Sequence, residues 1–145
     1  LYDDMEQSPY IWTLLAIAIV GPIVEELMFR GLIYRSLEKA IEIPWIPIIV
    51  SGVMFGAWHG SFIQGVYTAI LGIILAYYYK KTRSLFLVIT VHIINNFLST
   101  LPPAWDTDFS YSLILVISYL CIAPMIAIMV YLHRKSKIQV ENTAI

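Results

Sequence analysis

The sequence predicts an all-α protein: a polytopic transmembrane helical bundle with about five spanning helices, forming a single domain over residues 1–145. Hydrophobic residues make up 59% of the chain, whereas charged residues make up only 13%. Soluble domains usually carry about 25% charged residues. The apolar residues are also grouped into long runs with short connections. Because a spanning helix needs about 20 mostly apolar residues, composition and run length together favour a membrane protein.

Five apolar helical segments are predicted, in chain order at about 9–40, 44–60, 61–79, 84–101 and 110–133. The first segment is longer than one span requires, so its charged second half is expected to leave the membrane. Within it, Gly21-Pro22 predicts a kink, because proline removes a backbone hydrogen bond.

The positive charges indicate how these segments are oriented. With alternating spans, one side of the membrane holds all the Lys and Arg residues except Arg30, which lies inside the first segment. The opposite side holds the acidic residues Asp3, Asp4, Glu6, Asp106 and Asp108. An excess of positive charge marks the cytoplasmic side. We therefore expect a multi-pass integral membrane protein with cytoplasmic basic loops and C-terminus. Its short loops and compact chain favour a prokaryotic plasma membrane.

Charge and cysteine content exclude several other classes. A net charge of -1 gives no case for nucleic-acid binding. The single cysteine, Cys121, cannot form an intrachain disulfide and is expected to be a small buried residue. The chain begins at Leu1 with an acidic stretch, unlike the basic start of a signal peptide. We expect further helices to precede Leu1 in the full-length protein.

Ionisable and polar residues interrupt three of the apolar segments at a similar depth. Glu25, Glu26 and Arg30 lie in the first segment, where charges are costly and by default mark a functional site. At about 1.5 Å per helical residue, these residues lie roughly 12–20 Å below the cytoplasmic surface. His59, His92 and the pair Asn95-Asn96 fall at the same level. The common depth predicts one shared site.

Helical spacing assigns these residues to faces. Glu26 and Arg30 are four residues apart and are expected to form an ion pair. Glu25 is about 100° away around the helix, which leaves it available as a base. His92 and Asn96 share a face, with which Asn95 does not align. Phe55 shares a face with His59, so its ring is expected to wall the site.

Small residues recur every four positions in the second and third segments. They are Gly52, Gly56 and Gly60, and then Thr68, Gly72 and Ala76. Such stripes let membrane helices approach closely, and we interpret them as packing surfaces beside His59.

The three motifs together resemble a known family. Glu25-Glu26-x-x-x-Arg30, Phe55-x-x-x-His59 and His92-x-x-x-Asn96 occur in this order on separate helices. This pattern, over about residues 21–98, is similar to that of the CPBP (Abi) family of intramembrane glutamic endopeptidases. The family includes CAAX prenyl proteases and bacteriocin-processing or immunity proteins.

The resemblance implies an intramembrane endopeptidase that needs no cofactor. It implies that Glu25 activates the attacking water and that His59 helps to hold that water. His92 and Asn96 would stabilise the oxyanion on the scissile carbonyl. Glu26, Arg30 and Phe55 would support the site. The substrate would be a peptide or protein that reaches the site from the cytoplasmic side of the bilayer.

Two alternatives remain open at this point. Glu25, His59 and His92 are a plausible set of zinc ligands with an open position for water, although no His-Glu-x-x-His sequence is present. Alternatively, the buried polar groups could belong to a non-enzymatic membrane immunity protein or a small transporter. A transporter would be expected to show internal repeats, and the sequence shows none.

Overall fold

A computed structural model describes residues 10–100 and twelve further residues from 107 to 134. Of these residues, 88% are helical and none forms a strand, which confirms the all-α class. Four helices follow one another in the continuous stretch: α1, Tyr10–Ala40; α2, Ile46–Trp58; α3, Phe62–Thr82; and α4, Leu85–Ser99.

Two of these helices, α1 and α3, are long and apolar enough to cross a membrane. Helices α2 and α4 have 13 and 15 residues. At about 1.5 Å per residue they fall short of a hydrocarbon core about 30 Å thick. The fifth predicted segment, 110–133, lies mostly outside the described residues, although each residue described between 109 and 134 is helical. The described part of the chain therefore does not confirm the predicted count of about five spans.

Helix α1 is not a uniform α-helix. A π-helical stretch, Leu15–Val20, precedes the α-helical turn Gly21–Glu26, and a second one, Leu27–Tyr34, follows it. At the end of the first stretch, the Gly21 N–H donates to the Ala16 carbonyl, five residues back. The next donor in that register would be Pro22, which has no N–H. The π-helical register therefore ends just before Gly21-Pro22, whereas the kink predicted at these two residues stays a prediction.

Helices α2 and α3 form the most extensive interface in the described part of the chain. A Cβ on Gly52 would lie 2.6 Å from the Ile73 backbone nitrogen, and a Cβ on Gly56 would lie 2.4 Å from the Gly65 carbonyl oxygen. The two backbones are thus in direct contact, as the small-residue stripes predicted. Gly60 does not belong to this surface. It follows α2 in a turn with φ +71°, and a Cβ there would meet nothing within 4 Å.

Side chains at the C-terminal end of α1 contact α3. The rings of Tyr34 and Tyr79 pack edge to face at 5.6 Å. Glu38 accepts two hydrogen bonds from the Arg83 guanidinium and a third from the Tyr34 hydroxyl. This carboxylate raises the pKa of Arg83 above its ordinary value. The contacts hold α1 against α3 at the end that carries the basic residues.

Candidate active site

A fully buried ion pair lies at the centre of the site. Arg30 Nη1 donates to Glu26 Oε1 at 2.7 Å, and neither side chain is exposed. Arg30 Nη2 donates to the Gly72 carbonyl oxygen on α3, also at 2.7 Å. The pairing predicted from the four-residue spacing is confirmed. The hydrogen bond from Arg30 to Gly72 joins α1 to α3, and separating the two helices would remove one acceptor from the buried guanidinium.

The buried ring of Phe55 connects this ion pair to both histidines. The Arg30 guanidinium carbon lies 4.8 Å from the centre of the ring, in cation–π contact. The same ring makes edge-on contacts with His59 at 4.8 Å and with His92 at 5.5 Å. The predicted contact between Phe55 and His59 is present. The ring packs between groups from three helices and excludes water from Arg30.

His92 lies between the two adjacent carboxylates. Its Nδ1 is 2.8 Å from Glu26 Oε1, its Nε2 is 3.6 Å from Glu25 Oε2, and its side chain is buried. Glu26 Oε1 also accepts from Arg30 and acts here as a hydrogen-bond acceptor. The proton in the hydrogen bond between His92 and Glu26 is therefore on His92 Nδ1. The other ring nitrogen, Nε2, is turned toward Glu25.

Glu25 has a different environment from Glu26. Its side chain is 22% exposed, and its Oε2 atom faces His92 Nε2 at 3.6 Å, beyond hydrogen-bonding distance. Within the described part of the chain, buried Oε2 has no hydrogen-bond partner. Glu26 also has one oxygen without such a partner, but its other oxygen binds both Arg30 and His92. The ion pair therefore engages Glu26 and not Glu25, as the helical spacing predicted.

His59 directly follows Trp58, the last residue of α2, and is half-buried. Its Nδ1 lies 2.8 Å from the Phe55 carbonyl oxygen. Because a carbonyl can only accept, the ring proton is on Nδ1 and Nε2 is the basic nitrogen. This arrangement holds the imidazole against the Phe55 ring and gives it a defined tautomer.

Asn96 makes a contact that spacing did not predict. Its Nδ2 donates to the Ile17 carbonyl on α1 at 3.0 Å. Asn95, which does not align with His92, donates to Asn96 Oδ1 at 3.4 Å and accepts from the Tyr67 hydroxyl at 2.8 Å. Sequence reasoning missed Tyr67, because nothing in its spacing on α3 marks it. Its one available signal was the adjacency of two asparagines on a facing helix.

The possible zinc ligands do not form a cluster. Among residues 10–100 and the scattered positions beyond them, no three His, Cys, Asp or Glu side chains are placed to hold one metal ion. The set Glu25, His59 and His92 includes one close approach, that of His92 Nε2 to Glu25 Oε2 at 3.6 Å. An experiment with a chelator tests whether the protein needs a metal ion.

Comparison with known proteins identifies the family. Residues 7–98 match the family model described as type II CAAX prenyl endopeptidase Rce1-like. The chain belongs to this Rce1-like family. The matched stretch contains every residue of the candidate site, and the family resemblance carried by the three motifs is confirmed.

A curated bacterial relative agrees with this assignment. The chain is 29% identical over 79 residues to the Bacillus subtilis (strain 168) protein named "Putative membrane peptidase YdiL". The alignment covers 54% of this chain and 32% of that protein, so the matched region is about a third of the relative's length. No solved structure matches the chain significantly.

Proposed function

We propose that the protein is a membrane endopeptidase of the CAAX type that hydrolyses a peptide bond with a water activated by Glu25. The observation that carries the proposal is the unequal environment of two adjacent carboxylates. Glu26 is bound by Arg30 and His92, whereas Glu25 Oε2 faces the Nε2 atom of His92. The Rce1-like family membership and the relative's description as a membrane peptidase support a protease.

In the proposed reaction, Glu25 takes a proton from a water as its oxygen attacks the scissile carbonyl carbon. His59 Nε2 accepts a second hydrogen bond from the same water and orients it. The carbonyl π electrons move to oxygen and form a tetrahedral oxyanion. When the C–N bond breaks, Glu25 returns its proton to the leaving nitrogen. The products are a carboxylic acid and an amine, and neither residue is consumed.

His92 and Asn96 are assigned to the oxyanion. A well-placed donor of this kind supplies about 3–4 kcal/mol. Since the Nδ1 proton of His92 already goes to Glu26, an oxyanion contact must come from a proton on Nε2.

We further infer that the substrate reaches the site from the cytoplasmic side of a prokaryotic plasma membrane. It would be a CAAX-type segment, a bacteriocin leader or another peptide that enters the bilayer. The buried position of His92 and the ion pair requires the substrate segment to reach between α1, α2 and α4. No metal takes part in this mechanism.

The test is peptide cleavage by the purified full chain in detergent. The panel comprises quenched fluorescent peptides ending in Cys-aliphatic-aliphatic-X, farnesylated and unmodified, and leader-like peptides without that ending. The expected result is that at least one peptide is cleaved and that a strong zinc chelator does not prevent its cleavage. Activity that the chelator abolishes and zinc restores would place Glu25, His59 and His92 in a metal site instead. No cleavage of any peptide would contradict the proposed activity and favour a non-enzymatic role.

A further inference from the structure

We propose that Tyr67, Asn95 and Asn96 form a clamp that holds α1 in position just before its two glutamates. The clamp is a chain of hydrogen bonds across three helices. It runs from the Tyr67 hydroxyl on α3, through the two asparagine side chains of α4, to the Ile17 carbonyl on α1. The effect of the clamp on catalysis rests on the proposed function. Its effect on the position of α1 is independent of that function.

The Ile17 carbonyl needs a donor because of Pro22. The Gly21 N–H, which would reach Ile17 in an α-helix, donates to Ala16 instead. In the π-helical register that this bond continues, the donor to Ile17 would be residue 22, and proline has none. Ile17 is also 42% exposed, and within a bilayer no water would be present to donate to its carbonyl. The Asn96 amide therefore replaces the N–H that Pro22 lacks.

The donor and acceptor at each end of this series of hydrogen bonds fix the orientation of both asparagine amides. A carbonyl can only accept, so the Asn96 group facing Ile17 is its NH₂ group. Its oxygen then accepts from the Asn95 NH₂ group, and the Asn95 oxygen accepts from Tyr67. Flipping either amide would set two acceptors or two donors against each other. Tyr67 thus anchors the end of the chain on a third helix.

The clamp lies beside the proposed catalytic groups. Asn96 is one turn beyond His92 on α4, and Glu25 is three residues beyond Pro22 on α1. On either side of Pro22, helices α1 and α4 are joined through Asn96 with Ile17 and through His92 with Glu26. Two attachments fix the position of α1 along α4, and this position sets the approach of Glu25 to His92. Tyr67, Asn95 and Asn96 act here as positioning residues.

The first experiment removes one hydroxyl from the full chain with the substitution Tyr67→Phe. Tyr10→Phe is the matched control, because the Tyr10 hydroxyl also donates to a backbone carbonyl, that of Thr100, but is no part of the hydrogen-bond chain that ends at Ile17. Hydrogen exchange of the backbone amides in residues 18–26 is measured by mass spectrometry. We expect exchange about fivefold faster in Tyr67→Phe, the effect of losing one hydrogen bond, and no change there in Tyr10→Phe. Exchange equal to wild type in Tyr67→Phe would overturn the clamp.

The second experiment separates the clamp from a contact of Asn96 with the oxyanion. Pro22→Ala returns an N–H to α1, so Asn96→Ala is compared in the wild-type and Pro22→Ala backgrounds. If Asn96 acts through the Ile17 carbonyl, its removal accelerates exchange in residues 18–26 when Pro22 is present, and much less in the Pro22→Ala background. Unchanged exchange in both backgrounds, with an equal loss of kcat, would assign Asn96 to the oxyanion alone and contradict the clamp.

Catalysis supplies an independent measurement on the same variants. For a peptide that the wild type cleaves, Tyr67→Phe is expected to lower kcat about fivefold and to leave KM within about twofold. Since hydrogen exchange needs no turnover, a wild type that cleaves no peptide would sink the proposed function without affecting the test of the clamp. Faster exchange with unchanged kcat would contradict its positioning role.

Discussion

At the scale of single residues, the site depends on a difference between neighbours. Glu25 and Glu26 are adjacent in the chain, yet the Arg30 guanidinium and the His92 Nδ1 proton both go to Glu26. A buried arginine without its carboxylate would be an uncompensated charge in a medium that screens poorly. Glu26 is therefore expected to maintain the structure, whereas Glu25 is expected to react.

This division predicts opposite effects from the same substitution at the two positions. Glu26→Gln should lower the free energy of unfolding by about 3–5 kcal/mol, because it leaves Arg30 buried without a counter-charge. Glu25→Gln should change it by less than about 1 kcal/mol, since no ion pair is broken. Chemical unfolding in detergent micelles measures both. Equal destabilisation by the two variants would refute the separation of roles.

The tautomer of His59 leads to a second prediction. His59→Asn can keep the hydrogen bond to the Phe55 carbonyl but removes the Nε2 position. We expect stability close to that of the wild type and a kcat at least about 100-fold lower, the scale of a lost acid–base contact. His59→Gln, which places an amide near the Nε2 position, serves as the comparison and should retain more activity. A fully active His59→Asn enzyme would show that Nε2 is not used.

Part of the site could be predicted from spacing, because contacts within one helix follow from its period. The pairs Glu26–Arg30 and Phe55–His59 are of this kind. The contacts of His92 with Glu26 and of Asn96 with Ile17 depend on how α1 and α4 pack, and spacing within either helix carries no information about that. The second acceptor of Arg30 is the Gly72 carbonyl, a backbone group. Because every residue has a backbone carbonyl, the sequence does not indicate which one accepts this hydrogen bond.

At the scale of elements, close contact between α2 and α3 positions the second helix of the site. Gly56 lies next to Phe55, whose ring touches Arg30 and both histidines. A Cβ on Gly56 would come within 2.4 Å of the Gly65 carbonyl oxygen and 2.6 Å of the Ala69 Cβ. Neither atom is the end of a flexible side chain, so the helices would have to separate.

Gly56→Ala is therefore expected to destabilise the protein by about 1–3 kcal/mol, the usual cost of overpacking. Gly31→Ala in α1 is the matched control, because a Cβ there would meet its nearest neighbour, Leu85 Cδ1, at an ordinary 3.7 Å. The control should be neutral or slightly stabilising, since alanine favours helix. Thermal unfolding of both variants in one detergent makes the comparison. A Gly56→Ala variant as stable as wild type would disprove the close contact.

The sequence predicted where the helices lie, but it did not predict the hydrogen-bond register within them. Four predicted segments correspond to α1–α4, and the glycine repeat located the α2–α3 contact. The assignment of Gly60 to that contact was wrong in position, because α2 ends before it and the chain turns with positive φ. The π-helical stretches of α1 were not predicted. The second, Leu27–Tyr34, has no proline or glycine immediately before it to signal a change of register.

At the scale of the whole molecule, charge should determine orientation in the membrane. Arg35, Lys39, Lys80 and Arg83 lie at the ends of α1 and α3 that Tyr34, Glu38 and Tyr79 hold together. The excess of positive charge predicts that these ends lie on the cytoplasmic side. The number of spans remains a prediction, because α2 and α4 are short and the fifth segment lies mostly outside the described residues.

This orientation predicts which side of the membrane labels an introduced cysteine. In a Cys121→Ser background, Lys81→Cys should react with a membrane-impermeant maleimide in inverted vesicles and stay unlabelled in right-side-out spheroplasts. Lys39→Cys, at the end of α1, should behave in the same way. Labelling of either position from the outside would reverse the proposed topology and the side from which substrate enters.

The central claim, that Glu25 activates the water, is tested most directly by the turnover of Glu25→Gln. The variant and the wild type are assayed on one peptide that the wild type cleaves, with a strong zinc chelator present. The proposed mechanism predicts wild-type cleavage that the chelator does not reduce and a kcat at least about 1000-fold lower in a Glu25→Gln protein of unchanged stability. A folded Glu25→Gln enzyme with near-normal kcat would contradict it.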